Sequence, residues 1–88
     1  MSSIAASTLT VRVLLFGSYA EWLGFDTLDL SLESPATIDD ALKRLRSLPG
    51  GDTLPERPLC ALNLSQAGAR TPLSTGDELA LLPPLAGG

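Results

Sequence analysis

Histidine is absent from the chain, and cysteine occurs once, at Cys60. Without histidine, neither a Ser-His-Asp nor a Cys-His catalytic centre can be built from this chain alone. One cysteine and no histidine exclude a Cys/His zinc site. They also exclude an internal disulfide, so a reducing compartment, the cytoplasm, is the expected location. Cations are few: six Lys and Arg stand against ten Asp and Glu, a net charge of −4. No basic stripe exists to neutralise phosphates, so nucleic acid is not an expected partner. The opening "MSSIAASTLT" has no basic region followed by an apolar run, so it does not read as a secretory signal. No apolar stretch approaches the ~20 residues of a membrane span, and no membrane partner is expected.

What is present suits one packed domain. The chain has 88 residues, 44% of them hydrophobic, too many for a disordered segment. A domain of this size buries only ~60% of its unfolded surface. The mild acidity favours a basic partner, although charge of this size also simply aids solubility.

Residues 1–8 are small and polar and read as a flexible leader before a domain over 9–83. "LTVRVLLFG" (9–17) alternates as a strand, with Val11, Val13 and Leu15 on one face and Thr10, Arg12, Leu14 and Phe16 on the other. Gly17 breaks it. "SYAE" (18–21) has the spacing of a capping box, with Ser18 as N-cap and Glu21 three residues on. A short helix follows over 18–23 and stops at Gly24. "DTLDLSLE" (26–33) places Leu28, Leu30 and Leu32 on one face of a strand. Thr37 can cap a helix over 38–48, whose Ile38, Ala41, Leu42, Leu45 and Leu48 form one stripe. "PGG" (49–51) stops it. "LCALNL" (59–64) is a third strand, "SQAG" (65–68) a turn, and "ARTPL" (69–73) a brief edge strand. "STGD" (74–77) has turn chemistry. "ELALLP" (78–83) is the last strand, and 84–88 form a C-terminal tail. Val11, Val13, Leu15, Leu28, Leu30, Leu42, Leu45, Leu62, Leu79 and Leu81 are the expected core.

Several conspicuous residues have plain explanations. Cys60 lies in an apolar strand, as a core thiol does. Asp39 and Asp40 suit the positive end of a helix, and Lys43, Arg44 and Arg46 its negative end. Tyr19 and Trp22 read as helix-to-sheet packing. "LPGGD" (48–52) is too short for a phosphate loop.

Strands around one principal helix specify an α+β domain with that helix on one sheet face. The order matches the β-grasp, or ubiquitin-like, fold: a mixed sheet of four to five strands. Four stretches resemble the small-subunit family of molybdopterin synthase, the sulfur carriers of molybdenum cofactor synthesis. They are "VLLFGSYAEWLG" (13–24), "TIDDALKRL" (37–45), "ALN" (61–63) and "PLSTGDELALLPPLAGG" (72–88). The last is the most specific, with a Gly-Asp turn, a hydrophobic strand, two prolines and Gly-Gly. Two departures stand out. The family often has aromatics before the prolines, where Leu81 and Leu82 stand here. It often has Thr or Ser before Gly-Gly, where Ala86 stands here.

The resemblance implies a protein that is carried rather than one that catalyses. An E1-like adenylyltransferase would spend ATP to convert the Gly88 carboxylate to an acyl-adenylate. Sulfur from a persulfide would replace AMP, leaving a thiocarboxylate. The large subunit of molybdopterin synthase, in a heterotetramer with this chain, would take the tail into its active site. There the sulfur would pass to a cyclic pyranopterin precursor. No cofactor would be bound by the chain itself. The residue types suit this: Gly88 has no Cβ to shield its carbonyl, and Gly87 can enter a narrow channel. Pro83 and Pro84 hold the arm extended, which lowers the entropy lost on insertion.

One helix of about 11 residues covers one sheet face only, and the other is open. Phe16 and Leu82 fall on that face, in strands that neighbour each other in a β-grasp sheet, with Leu14 and Ala80 beside them. Together with Pro83, Pro84 and Leu85 they are the expected partner-binding residues. Other readings stay open: a carrier for thiazole, cysteine or thiouridine synthesis, a ubiquitin-like modifier joined to lysines through Gly88, or a β-grasp binding module whose tail is irrelevant.

Overall fold

The computed structural model of the chain describes residues 7–84. Strand β1 (Thr8–Leu15) begins one residue inside the segment read as a leader. Its alternation buries Leu9, Val11, Val13 and Leu15 on one side. Helix α1 (Ser18–Leu23) and strand β2 (Thr27–Glu33) follow, then the main helix α2 (Ile38–Arg46). A 3-10 turn (Gly51–Thr53) leads to β3 (Leu59–Leu62), β4 (Ser65–Ala67) and β5 (Glu78–Leu82).

The five strands form one mixed sheet in the order β2-β1-β5-β3-β4. β1 is antiparallel to β2 and parallel to β5, with Val13 opposite both Leu28 and Leu79. β5 is antiparallel to β3, with Leu81 opposite Cys60. These registers put the inward residues in rows: Leu30 beside Val11, then Leu15, Leu81 and Cys60. Across them lies the stripe of α2, where Ile38, Ala41 and Leu45 have no exposed surface and Leu42 almost none. Burying a leucine such as Leu45 completely contributes roughly 1.5–3 kcal/mol.

The ends of α2 follow from its sequence. Thr37 Oγ1 accepts the Asp40 N–H at 3.4 Å, and an Asp40 carboxylate oxygen accepts the Thr37 N–H at 2.8 Å. That reciprocal pair satisfies two donors the helix leaves orphaned. Asp39 meets Lys43 at 3.3 Å one turn on. Both aspartates are therefore engaged by helix structure. The helix closes at Ser47, whose hydroxyl donates to the Arg44 carbonyl. It is two residues shorter than the apolar stripe suggested, and Leu48 packs half-buried beyond its end.

Four expectations are corrected. Ser18 and Glu21 form no capping box: α1 starts on Gly17, and the Glu21 N–H goes to the Gly17 carbonyl. The backbone turn supplies the partner that the serine was expected to supply. The turn after β3 is Asn63-Leu64, both left-handed with φ of 50° and 74°, which suits a two-residue hairpin. Asn63 clamps it, donating to Asp77 and accepting from the Glu78 N–H, each at 2.9 Å. Residues 65–67 are consequently strand, and 69–73 are not, apart from a bridge between Thr37 and Pro72. Trp22 is 45% exposed; of the two helix aromatics only Tyr19 is buried. Leu28 and Leu62 are half-buried, because one lies in an edge strand and the other ends β3 beside the turn.

Candidate functional site

Among the described residues no helix lies on the face of the sheet away from α2. Three rows of that face's outward residues reach β5, and beyond them Thr10 stands opposite Ser31 and Thr8 opposite Glu33 on β1 and β2. The first is charged: Asp29, Arg12 and Glu78 stand opposite one another across β2, β1 and β5. Arg12 Nε meets Asp29 at 3.4 Å, with both side chains more than half exposed, so this pair adds little stability. The second row is Leu14, Ala80 and Ala61, and the third brings Leu82 opposite Leu59. Phe16 lies one residue past the end of β1. Its N–H donates to the Leu81 carbonyl at 3.3 Å, which keeps it level with the end of β5.

Phe16, Leu14, Ala80 and Leu82 are thus brought to one face of neighbouring strands, as the alternation required. Phe16 is 45% exposed, and the other three are half-buried. Leu59, 47% exposed, and Ala61 complete the patch. Sequence reasoning missed this pair. The signal was present in "LCALNL", where Cys60 and Leu62 point inward and so send Leu59 and Ala61 outward. What it lacked was the pairing of β3 with β5.

The patch leads straight into the arm. β5 ends at Leu82; Pro83 is half-buried and Pro84 exposed. Leu85, Gly87 and Gly88 lie outside the described residues. The opposite, covered face holds Cys60, 3% exposed. Loss of water around it pushes its thiol from an ordinary value of 9.0 up to about 11, so it is a poor nucleophile near neutrality. Burial also raises the Tyr19 phenol, with a smaller contribution from the nearby Cys60 charge. Among the described residues no three Cys, Asp or Glu side chains gather to hold a metal ion, and no helix is long and apolar enough to cross a membrane.

Residues 13–88 match the ThiS family, from the middle of β1 through Gly88. The chain belongs to the ThiS family. These are ubiquitin-like sulfur carriers. No curated protein sequence matches the chain significantly. Solved structures agree on the β-grasp fold. The small archaeal modifier protein SAMP1 of Haloferax volcanii is 30% identical, with a TM-score of 0.79, over 90% of this chain and 99% of that one. A chain of the complex of subunits 1 and 2 of molybdopterin-converting factor from Helicobacter pylori is 25% identical, with a TM-score of 0.67, over 91% of this chain and 100% of that one. A Pyrococcus furiosus protein described as a putative molybdopterin converting factor subunit 1 shares the fold at 17% identity and a TM-score of 0.76, over 88% and 99%.

Proposed function

We propose that this ThiS-family protein is the sulfur-carrying small subunit of molybdopterin synthase. The observation that carries the reading is the continuity between the open apolar face and the arm: Phe16, Leu14, Ala80, Leu82 and Leu59 border the point where β5 becomes Pro83-Pro84. A partner seated on that face receives whatever the arm presents. A neighbour of the same fold, the Helicobacter pylori subunit, forms a complex with a second subunit, which supports a large-subunit partner here.

The chemistry proceeds in three stages. The Gly88 carboxylate attacks the α-phosphorus of ATP on an E1-like adenylyltransferase; a C(O)O–P bond forms and pyrophosphate leaves. A persulfide sulfur then attacks the acyl carbon and AMP departs. A thiol cleaves the resulting S–S bond, leaving the thiocarboxylate and a disulfide on the donor side. Finally the large subunit, in a heterotetramer of two small and two large chains, holds the thiocarboxylate while its sulfur forms a C–S bond to the pterin precursor. Water then attacks the acyl carbon, the acyl C–S bond breaks and the Gly88 carboxylate is regenerated, and a second carrier supplies the second dithiolene sulfur. The carrier supplies a docking face, a stiff arm and an unhindered carbonyl; acids and bases come from its partners. The reactions belong in the cytoplasm.

Whole-protein mass spectrometry tests this. Incubation with ATP, an E1-like adenylyltransferase and a persulfide donor should exchange one oxygen of the chain for sulfur. The product, mixed with the large subunit and the precursor, should then yield the dithiolene pterin. Deleting Gly88, or adding one residue after it, should abolish the exchange and leave the fold intact. Full exchange in the extended chain overturns the reading. The likeness to SAMP1, a modifier by name, supports a second reading, in which Gly88 is joined to lysines. A covalent conjugate with another protein, in place of sulfur transfer to the pterin, would decide for it.

A further inference from the structure

Gly17 does more than end a strand. Its φ of 58° and ψ of −132° turn the chain from β1 into α1. This conformation is one that residues with a Cβ rarely adopt. The same residue lies under the root of the arm. A Cβ on Gly17 would stand 3.0 Å from Pro83 Cγ and 3.9 Å from Pro83 Cδ. The first separation is tighter than ordinary carbon contact, which begins near ~3.5 Å. The pyrrolidine ring therefore occupies the space that a side chain at 17 would need. Directly before this contact, the Phe16 N–H holds the Leu81 carbonyl. The arm leaves the sheet pinned at two successive points, by a hydrogen bond at 81 and by a ring resting on bare glycine at 83.

We propose that Gly17 is a positioning residue for the terminal carboxylate, acting through Pro83. The proposal rests on the carrier reading above. The physical reason is leverage. Proline's ring is fused to its backbone and fixes φ, so pushing the ring moves the main chain rather than a side-chain rotamer. Gly88 lies five positions beyond Pro83, a reach of at most about 17 Å. A tilt at the root redirects the main chain where it leaves the sheet at Pro83-Pro84, and so changes the direction from which the terminal residues start. Misplacement of a reacting group by ~1 Å can cost ~100-fold in rate. The apolar side chains of the patch on the sheet are those of Phe16, Leu14, Ala80, Leu82 and Leu59, to which Gly17 contributes none. A disturbed arm should therefore slow the chemistry without weakening the encounter.

The test measures ATP-dependent pyrophosphate release by an E1-like adenylyltransferase, with the carrier as the varied substrate. Gly17→Ala, Pro83→Ala and the double variant are compared with the wild-type chain. Gly17→Ala should lower kcat at least ~10-fold and leave KM within about twofold. In the Pro83→Ala background, where Cγ and Cδ are gone, the same change at 17 should have little further effect on kcat. A purely structural glycine would lower thermal stability equally in both backgrounds and leave kcat alone; that result overturns the proposal. A rise in KM at unchanged kcat overturns it as well. Should Gly17→Ala fail to fold, a nuclear Overhauser contact between Gly17 Hα and Pro83 Hγ in the wild-type chain, and a kcat loss in Pro83→Ala alone, carry the test; absence of either refutes it. A wild-type chain that no such enzyme charges refutes the carrier reading itself, whereas a charged wild type with an indifferent Gly17→Ala refutes only the positioning role.

Discussion

Replacing Phe16 by alanine removes the largest side chain of the open face, and its cost divides between folding and binding. An aromatic of this kind offers ~200 Å² of surface. Phe16 leaves 45% of its surface exposed, or ~90 Å². Burial of that area against a partner at ~25 cal/mol per Å² gives about 2 kcal/mol, a loss of roughly 10–30-fold in affinity once ordering costs and the retained Cβ are discounted. The complementary ~110 Å² is already covered in the free protein. Its removal costs at most about 2.7 kcal/mol, an upper bound because unfolded chains also bury surface. The Phe16 main-chain bond to Leu81 survives the change, so a net stability loss of about 1–2 kcal/mol is expected. Phe16→Asp should bind more weakly still, because it places a carboxylate at a surface that must dry on docking. A titration against the large subunit and a urea denaturation curve on each variant measure the two parts separately. Wild-type affinity in a folded Phe16→Asp refutes docking on this face. Loss of the fold on the scale expected of a fully buried residue refutes the assignment of Phe16 to the open face.

Leu45 supplies that scale: fully buried under α2, its change to alanine should cost ~2–5 kcal/mol, and a urea midpoint within error of wild type would mean that the helix stripe packs elsewhere. Gly51→Ala should destabilise strongly, since its Cβ would fall on the Leu45 carbonyl oxygen and 2.9 Å from Arg46 Cα, backbone that cannot yield without unwinding α2. Gly68→Ala, facing open space, should be nearly neutral, and equal melting temperatures for the two variants would refute the packing argument. Cys60 should stay unreactive to thiol reagents at neutral pH in the folded chain. Its thiol ionises near 9.0 when free and near 11 when folded, so between those values the unfolded state has released more protons and stability falls as pH rises. Cys60→Ala should flatten that part of the stability–pH profile, and an unchanged slope would place the thiol in water.

The alternation of "LTVRVLL" and "DTLDLSLE", the stripe from Ile38 to Leu45 and the Thr37 cap are local patterns. They wrote β1, β2 and α2 into the sequence, because period and capping depend on neighbours a few residues away. The same alternation named Phe16, Leu14, Leu82 and Ala80 as outward residues. The motif around the Gly-Asp turn and the two prolines is a local pattern too, and it pointed to a ubiquitin-like sulfur carrier. Where the reading failed, the deciding contact lay far along the chain. Asn63 turns the β3 hairpin because Asp77 and Glu78, fourteen and fifteen residues away, accept and donate to its side chain. Tyr19 and not Trp22 is buried, since only the packed sheet decides which side of a six-residue helix faces inward. Leu59 belongs to the open apolar patch only because β3 lies against β5. Gly17 meets Pro83 because β1 and β5 run parallel and side by side, which brings residues 66 positions apart in sequence to one point. Short-range order was set by composition and period; the site was assembled by strand pairing, whose register no local window of the chain contains.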